Sequence, residues 1–85
     1  METTEKINTE DRNQEIFNFL SSLNIPIDRR LMSIRSLSWD SNRDLARGLK
    51  VSHTIVNKII SGETKTGKAA EATFKALGIK NPWVS

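Results

Sequence analysis

The chain has 85 residues and carries 36% hydrophobic and 27% charged residues. A chain this size buries roughly 64% of its unfolded surface, which supports one modest core and argues against a two-domain enzyme with an enclosed cleft. The absence of cysteine removes disulfide staples, thiolate zinc sites and cysteine nucleophiles together. No apolar run approaches the ~20 residues of a membrane span. The acidic, polar start, Met1 to Glu15, is not patterned as a signal peptide.

Charge is unevenly placed. Residues 1–28 hold two basic and six acidic residues, net −4, and residues 29–85 hold eleven basic and four acidic, net +7. A basic segment of that length is the electrostatic footprint expected of a polyanion partner, although a solvated basic surface gives the same count.

In chain order, residues 1–9 predict a disordered acidic tail. Residues 10–27 predict a first helix and a linker. Thr9 suits the N-cap, with Glu10 and Asp11 in the first turn. Ile16, Phe17, Phe19, Leu20 and Leu23 then form a wide apolar stripe. Asn24-Ile25-Pro26 ends the helix, because Pro26 disfavours the α region at Ile25. Asp28 can cap a second helix to about Leu37, with Leu31, Ile34 and Leu37 inward and Arg29, Arg30 and Arg35 outward. After Ser38-Trp39-Asp40, Ser41 caps a third helix, with Asp44 three residues on, and Leu45 and Ala46 inward. A turn at Gly48-Leu49-Lys50-Val51 leads to Ser52, the cap of a fourth helix that stops at Ser61-Gly62. Gly62 suits the left-handed position closing it. Thr66 or Gly67 opens a fifth helix with Ala69, Ala70, Phe74 and Leu77 inward, and Gly78 ends it. No strand or internal repeat is expected.

The informative stretch is 42–60. Two short helices meet across a turn, with the small Ala46 where the second must pack closely. Leu45, Leu49, Val51, Val56 and Ile59 form the seam. Such an arrangement lays its second helix in the DNA major groove. The run NRDLARGLKVSHTIVNKIISG followed by KAAEATFKALGI resembles the lambda-repressor-like helix-turn-helix domains of phage repressors and xenobiotic-response-type regulators. The ending KAAEATFKALGIKNPWVS is also similar to that of small Ner-type phage regulators. The resemblance covers Asp28 to Trp83, not the first helix. It implies an all-α, five-helix fold: a helix-turn-helix domain at 28–85, with the first helix, at 10–27, additional to it. It also implies a cytoplasmic bacterial transcriptional regulator, a repressor of a phage or other mobile element. Its partner would be double-stranded DNA, with a homodimer reading an inverted repeat, and neither a membrane, a cofactor nor a small-molecule substrate is expected.

Residue by residue, the resemblance implies that Asn42 and Arg43 contact phosphate at the start of the third helix. Ser52, His53 and Thr54 open the recognition helix and point into the groove. Asn57, four residues beyond His53, shares its face. An asparagine suits adenine, and Lys58 suits guanine or phosphate. Lys65 and Lys68 flank the following loop and grip the backbone. Lys50 stands where the family usually has glycine. A positive φ there costs a lysine free energy, while its ammonium can reach phosphate. Asp40 stands where the family often has an apolar residue, a place Trp39 can fill.

Plainer readings stand beside these. Ser52 is first an N-cap, Asn57 can be merely solvated, and the lysines can be a soluble face. His53 is the lone histidine, which leaves a metal site or catalytic dyad little to build with. Gly62 and Gly67 bracket a loop without the P-loop spacing, so no enzyme is expected. The rival function is a protein-interaction module on the same fold that no longer binds DNA. Lys50, Asp40 and the acidic N-terminal segment support it. An acidic first helix lying over the fourth helix would favour that rival, and an open face there would favour DNA.

Overall fold

The computed structural model describes residues 9–84, so the expected tail lies almost wholly outside the described residues. Among them are five α-helices and no strand: α1 (Thr9–Ser22), α2 (Ile27–Ser38), α3 (Asn42–Leu49), α4 (His53–Ser61) and α5 (Lys68–Leu77). The chain is all-α, as its periodicity predicts. None of these helices is long and apolar enough to cross a membrane.

The core gathers one stripe from each helix. Phe17 of α1, Leu31 and Ile34 of α2, Leu45 and Ala46 of α3, Val56, Ile59 and Ile60 of α4, and Ala70, Phe74 and Leu77 of α5 are all buried, with Ile79 beyond. α4 is the hub, packed by α2, α3 and α5, while α1 packs on α2.

α1 is narrower on its buried side than the sequence suggests. Phe17 is 5% exposed but Phe19 is 62% exposed. Two residues along a helix turn the side chain by about 200°, so both cannot face one core. Leu23 is exposed as well. Polar pins compensate. Asn13, 2% exposed, donates from Nδ2 to the carbonyl of Leu77 at 2.8 Å. The backbone N–H of Lys80 donates to Gln14 Oε1 at 2.7 Å. The first half of α1 therefore seals the C-terminal end of α5, where helix carbonyls lack intrahelical partners.

Asn24, in the left-handed region at φ 62°, turns the chain out of α1, and Pro26 takes the N-cap position of α2. Asp28 is thus a first-turn acid rather than the cap. Leu31 and Ile34 are core, but Leu37 is 50% exposed. A three-residue repeat slips about 60° per step against the 3.6-residue turn, so the third member has rotated out. Arg29 is exposed as expected, whereas Arg30 and Arg35 are half-buried. Arg30 lies 4.8 Å over the Phe17 ring and donates to the carbonyl of Ile25 at 2.7 Å. Arg35 donates to the carbonyl of Trp39 at 2.7 Å. Both fold their stems along apolar surface, as long cationic side chains do.

The Arg35 bond fixes the extended residue Trp39 between α2 and α3. Trp39 packs on the core, and a Cβ built on Gly48 would come within 2.8 Å of its ring. Gly48 is therefore the groove that admits the tryptophan. The apolar place before α3 is filled by Trp39, and Asp40 stays exposed.

Candidate nucleic-acid interface

The candidate face is built by two caps and a turn. Ser41 Oγ accepts the N–H of Asp44 at 3.1 Å and starts α3. Ser52 Oγ accepts the N–H of Ile55 at 3.3 Å and starts α4. Each satisfies one donor that a helix start leaves unpaired. Between them Lys50 adopts φ 61°, ψ 40°, and the N–H of Val51 donates to the carbonyl of Ala46 at 3.0 Å. Ala46, 2% exposed, leaves room for this tight reversal.

Lys50 holds the left-handed conformation with a Cβ, which costs about 1–2 kcal/mol. Lys50→Gly is expected to stabilise the fold by about 1 kcal/mol, less than the full strain because glycine also frees the unfolded chain. In a domain this size that raises the melting temperature by roughly 4–8 °C. A thermal melt checks it, and an unchanged or lower midpoint would contradict the strain.

α4 has two unlike sides. Val56, Ile59 and Ile60 are buried against the core. Ser52, His53, Thr54, Asn57 and Lys58 are all exposed. Thr54 and Lys58 share a face by i, i+4 spacing. Ile55 is also 38% exposed. Spacing alone assigns it to the core, because it precedes Ile59 by four residues. It instead sits at the edge and presents an alkyl group beside Thr54, the kind of surface that meets a thymine methyl.

Asn57 is not free. Asn42 Nδ2, at the first residue of α3, donates to Asn57 Oδ1 at 2.9 Å. That bond ties the start of α3 to the middle of α4. It uses the carbonyl oxygen of Asn57 once and leaves its amide as the donor suited to a purine N7. Asn42 Oδ1 is buried without a partner, and it is the Nδ2 of Asn42 that holds Asn57. The contact spans 15 residues, and no local pattern announces it.

The surrounding cations fall into two groups. Arg43, Lys50, Lys58, Lys65 and Lys68 are exposed. Arg47 instead pairs with Asp44 at 3.2 Å, a solvent-exposed i, i+3 bridge of little energetic weight. Lys68 opens α5 behind Gly67, which gives no side-chain cap. A lysine there faces the positive end of the helix dipole and gains nothing from it. Lys65 lies in the α4–α5 loop, its Nζ 5.8 Å over the Trp83 ring. The half-buried Trp83 belongs to the packing, as does Trp39.

The sequence-predicted residues thus divide by element: Asn42 and Arg43 on α3, Lys50 and Ser52 in the turn, His53, Thr54, Asn57 and Lys58 on α4, and Lys65 and Lys68 around the next loop. Compared with known proteins, the chain matches no family model, no curated protein and no solved structure.

Proposed function

We propose that this chain is a sequence-specific duplex-DNA-binding regulator of transcription that reads the major groove with α4, most simply as a repressor. The observation carrying the reading is the division of α4 into a fully packed side and an open side. The open side begins with small and polar groups and lies in a segment of net charge +7. Capped helix starts, a tight turn and an exposed second helix are the parts a groove-reading unit needs. α1 packs on α2, and the polar residues of α4 stay exposed, which favours DNA over the interaction-module rival. Under this reading Thr54, Ile55 and Asn57 meet base edges, and Arg43, Lys50, Lys58, Lys65 and Lys68 meet phosphates.

Selection of bound sequences from a random duplex library tests the proposal. A recovered motif supports it, and recovery of no enriched sequence would sink it. The motif also decides stoichiometry. An inverted repeat with half-sites about 34 Å apart answers to a homodimer, and a single half-site to a monomer.

A further inference from the structure

We propose that the C-terminal segment after α5 positions the phosphate grip, with Trp83 and Asn81 holding the α4–α5 loop and its Lys65 in place. The inference rests on the DNA reading of α4 and adds residues outside the helices that reading uses. Trp83 Nε1 donates to the carbonyl of Ile59 at 3.0 Å. That carbonyl, in the last turn of α4, also accepts the N–H of Gly62 at 3.2 Å. The Trp83 ring lies so close to Gly62 that a Cβ there would come within 2.7 Å of it. Asn81 Nδ2 donates to the carbonyl of Lys65 at 2.6 Å, and Asn81 Oδ1 accepts the N–H of Trp83 at 2.9 Å. The Lys65 ammonium then sits over the ring that these bonds immobilise.

The loop needs this support. Residues 62–67, Gly-Glu-Thr-Lys-Thr-Gly, contain no apolar side chain and two glycines with positive φ. Left to itself such a segment samples many conformations. The indole, the Asn81 amide and the ring face fix respectively the end of α4, the Lys65 backbone and the Lys65 side chain. An exposed cation–π contact is weak enough to be exchanged for a phosphate. Lys65 is therefore kept close to its working position and still able to leave the ring. Ordering the lysine before DNA arrives lowers the entropy lost on binding.

The test uses the full chain and a mixed-sequence duplex, with binding followed against salt. Each phosphate contact contributes about 0.9 to the slope of log K on log[salt]. Trp83→Ala is expected to lose that increment, as Lys65→Ala does. Between about 50 and 200 mM salt it should then lose about 3.5-fold less affinity than the parent chain. The double variant should lose no further increment, and Trp83→Phe, which keeps an aromatic face, should retain most of the slope. Asn81→Ala, with the tryptophan in place, provides the same test should Trp83→Ala fail to fold. Amide hydrogen exchange in the free protein should quicken in Trp83→Ala at Thr64, whose N–H donates to the carbonyl of Lys58 at 3.0 Å. A lower melting temperature with an unchanged salt slope would reduce Trp83 to a structural residue and overturn the proposal. Unchanged loop exchange would do the same. A parent chain that binds no duplex overturns the DNA reading itself, and with it the purpose of the C-terminal segment, whereas faster loop exchange would still identify Trp83 as the loop's anchor.

Discussion

Phe17→Ala is expected to destabilise the chain by about 3–5 kcal/mol. Phe17 is 5% exposed within the common core, and its ring also carries the Arg30 guanidinium at 4.8 Å. A domain of this length has about 4–13 kcal/mol in all, so the variant loses a large share. Its melting temperature should fall by more than about 10 °C. Because the ring is buried within one chain, the fall should not depend on protein concentration. Phe19→Ala is the matched control: at 62% exposure it should change stability by no more than about 0.5 kcal/mol. Equal, small effects from both variants would make α1 an appendage and remove it from the core. A concentration-dependent effect of Phe19→Ala would place the exposed side of α1 in a dimer.

Affinity for the selected duplex is expected to fall about 500-fold between about 50 and 200 mM salt. Five exposed cations, Arg43, Lys50, Lys58, Lys65 and Lys68, lie on the elements assigned to the interface. Neutralising five phosphates gives a slope of log K on log[salt] of roughly −4.5 through counterion release. Arg47 is left out because it already faces Asp44 at 3.2 Å. A fluorescence titration at several salt concentrations measures the slope. A value near zero would remove the DNA reading outright.

Features set by neighbours in sequence were legible from the sequence. Ser41 and Ser52 cap their helices, and Gly62 and Gly78 close theirs in the left-handed region. These depend on a few consecutive residues and on the chemistry of one cap. Periodicity was less reliable at the stripe edges. Phe19 and Leu37 are apolar but rotated out, and Ile55 has core spacing but an edge position. What could not be read locally are contacts between distant residues. Asn13 reaches Leu77, Asn42 reaches Asn57 and Trp83 reaches Ile59. Each satisfies a polar group across an interface, so it depends on how helices meet rather than on any one helix. The candidate site divides in the same way. The exposure of the recognition residues follows from the α4 stripe, while the support behind Asn57 and Lys65 required the fold.

The most direct test of the central claim is to separate reading from gripping. Asn57, held by Asn42 at 2.9 Å on the open side of α4, is assigned to a base. Lys68, at the start of α5, is assigned to the phosphates. Asn57→Ala and Lys68→Ala are measured on the selected operator and on scrambled duplex at two salt concentrations. Asn57→Ala should relax preference at one base pair by about 1–3 kcal/mol and leave scrambled binding nearly intact. Lys68→Ala should weaken both duplexes alike and reduce the salt slope by about 1. If Asn57→Ala instead weakens operator and scrambled DNA equally, α4 does not read sequence through Asn57, and the docking assigned to it is wrong.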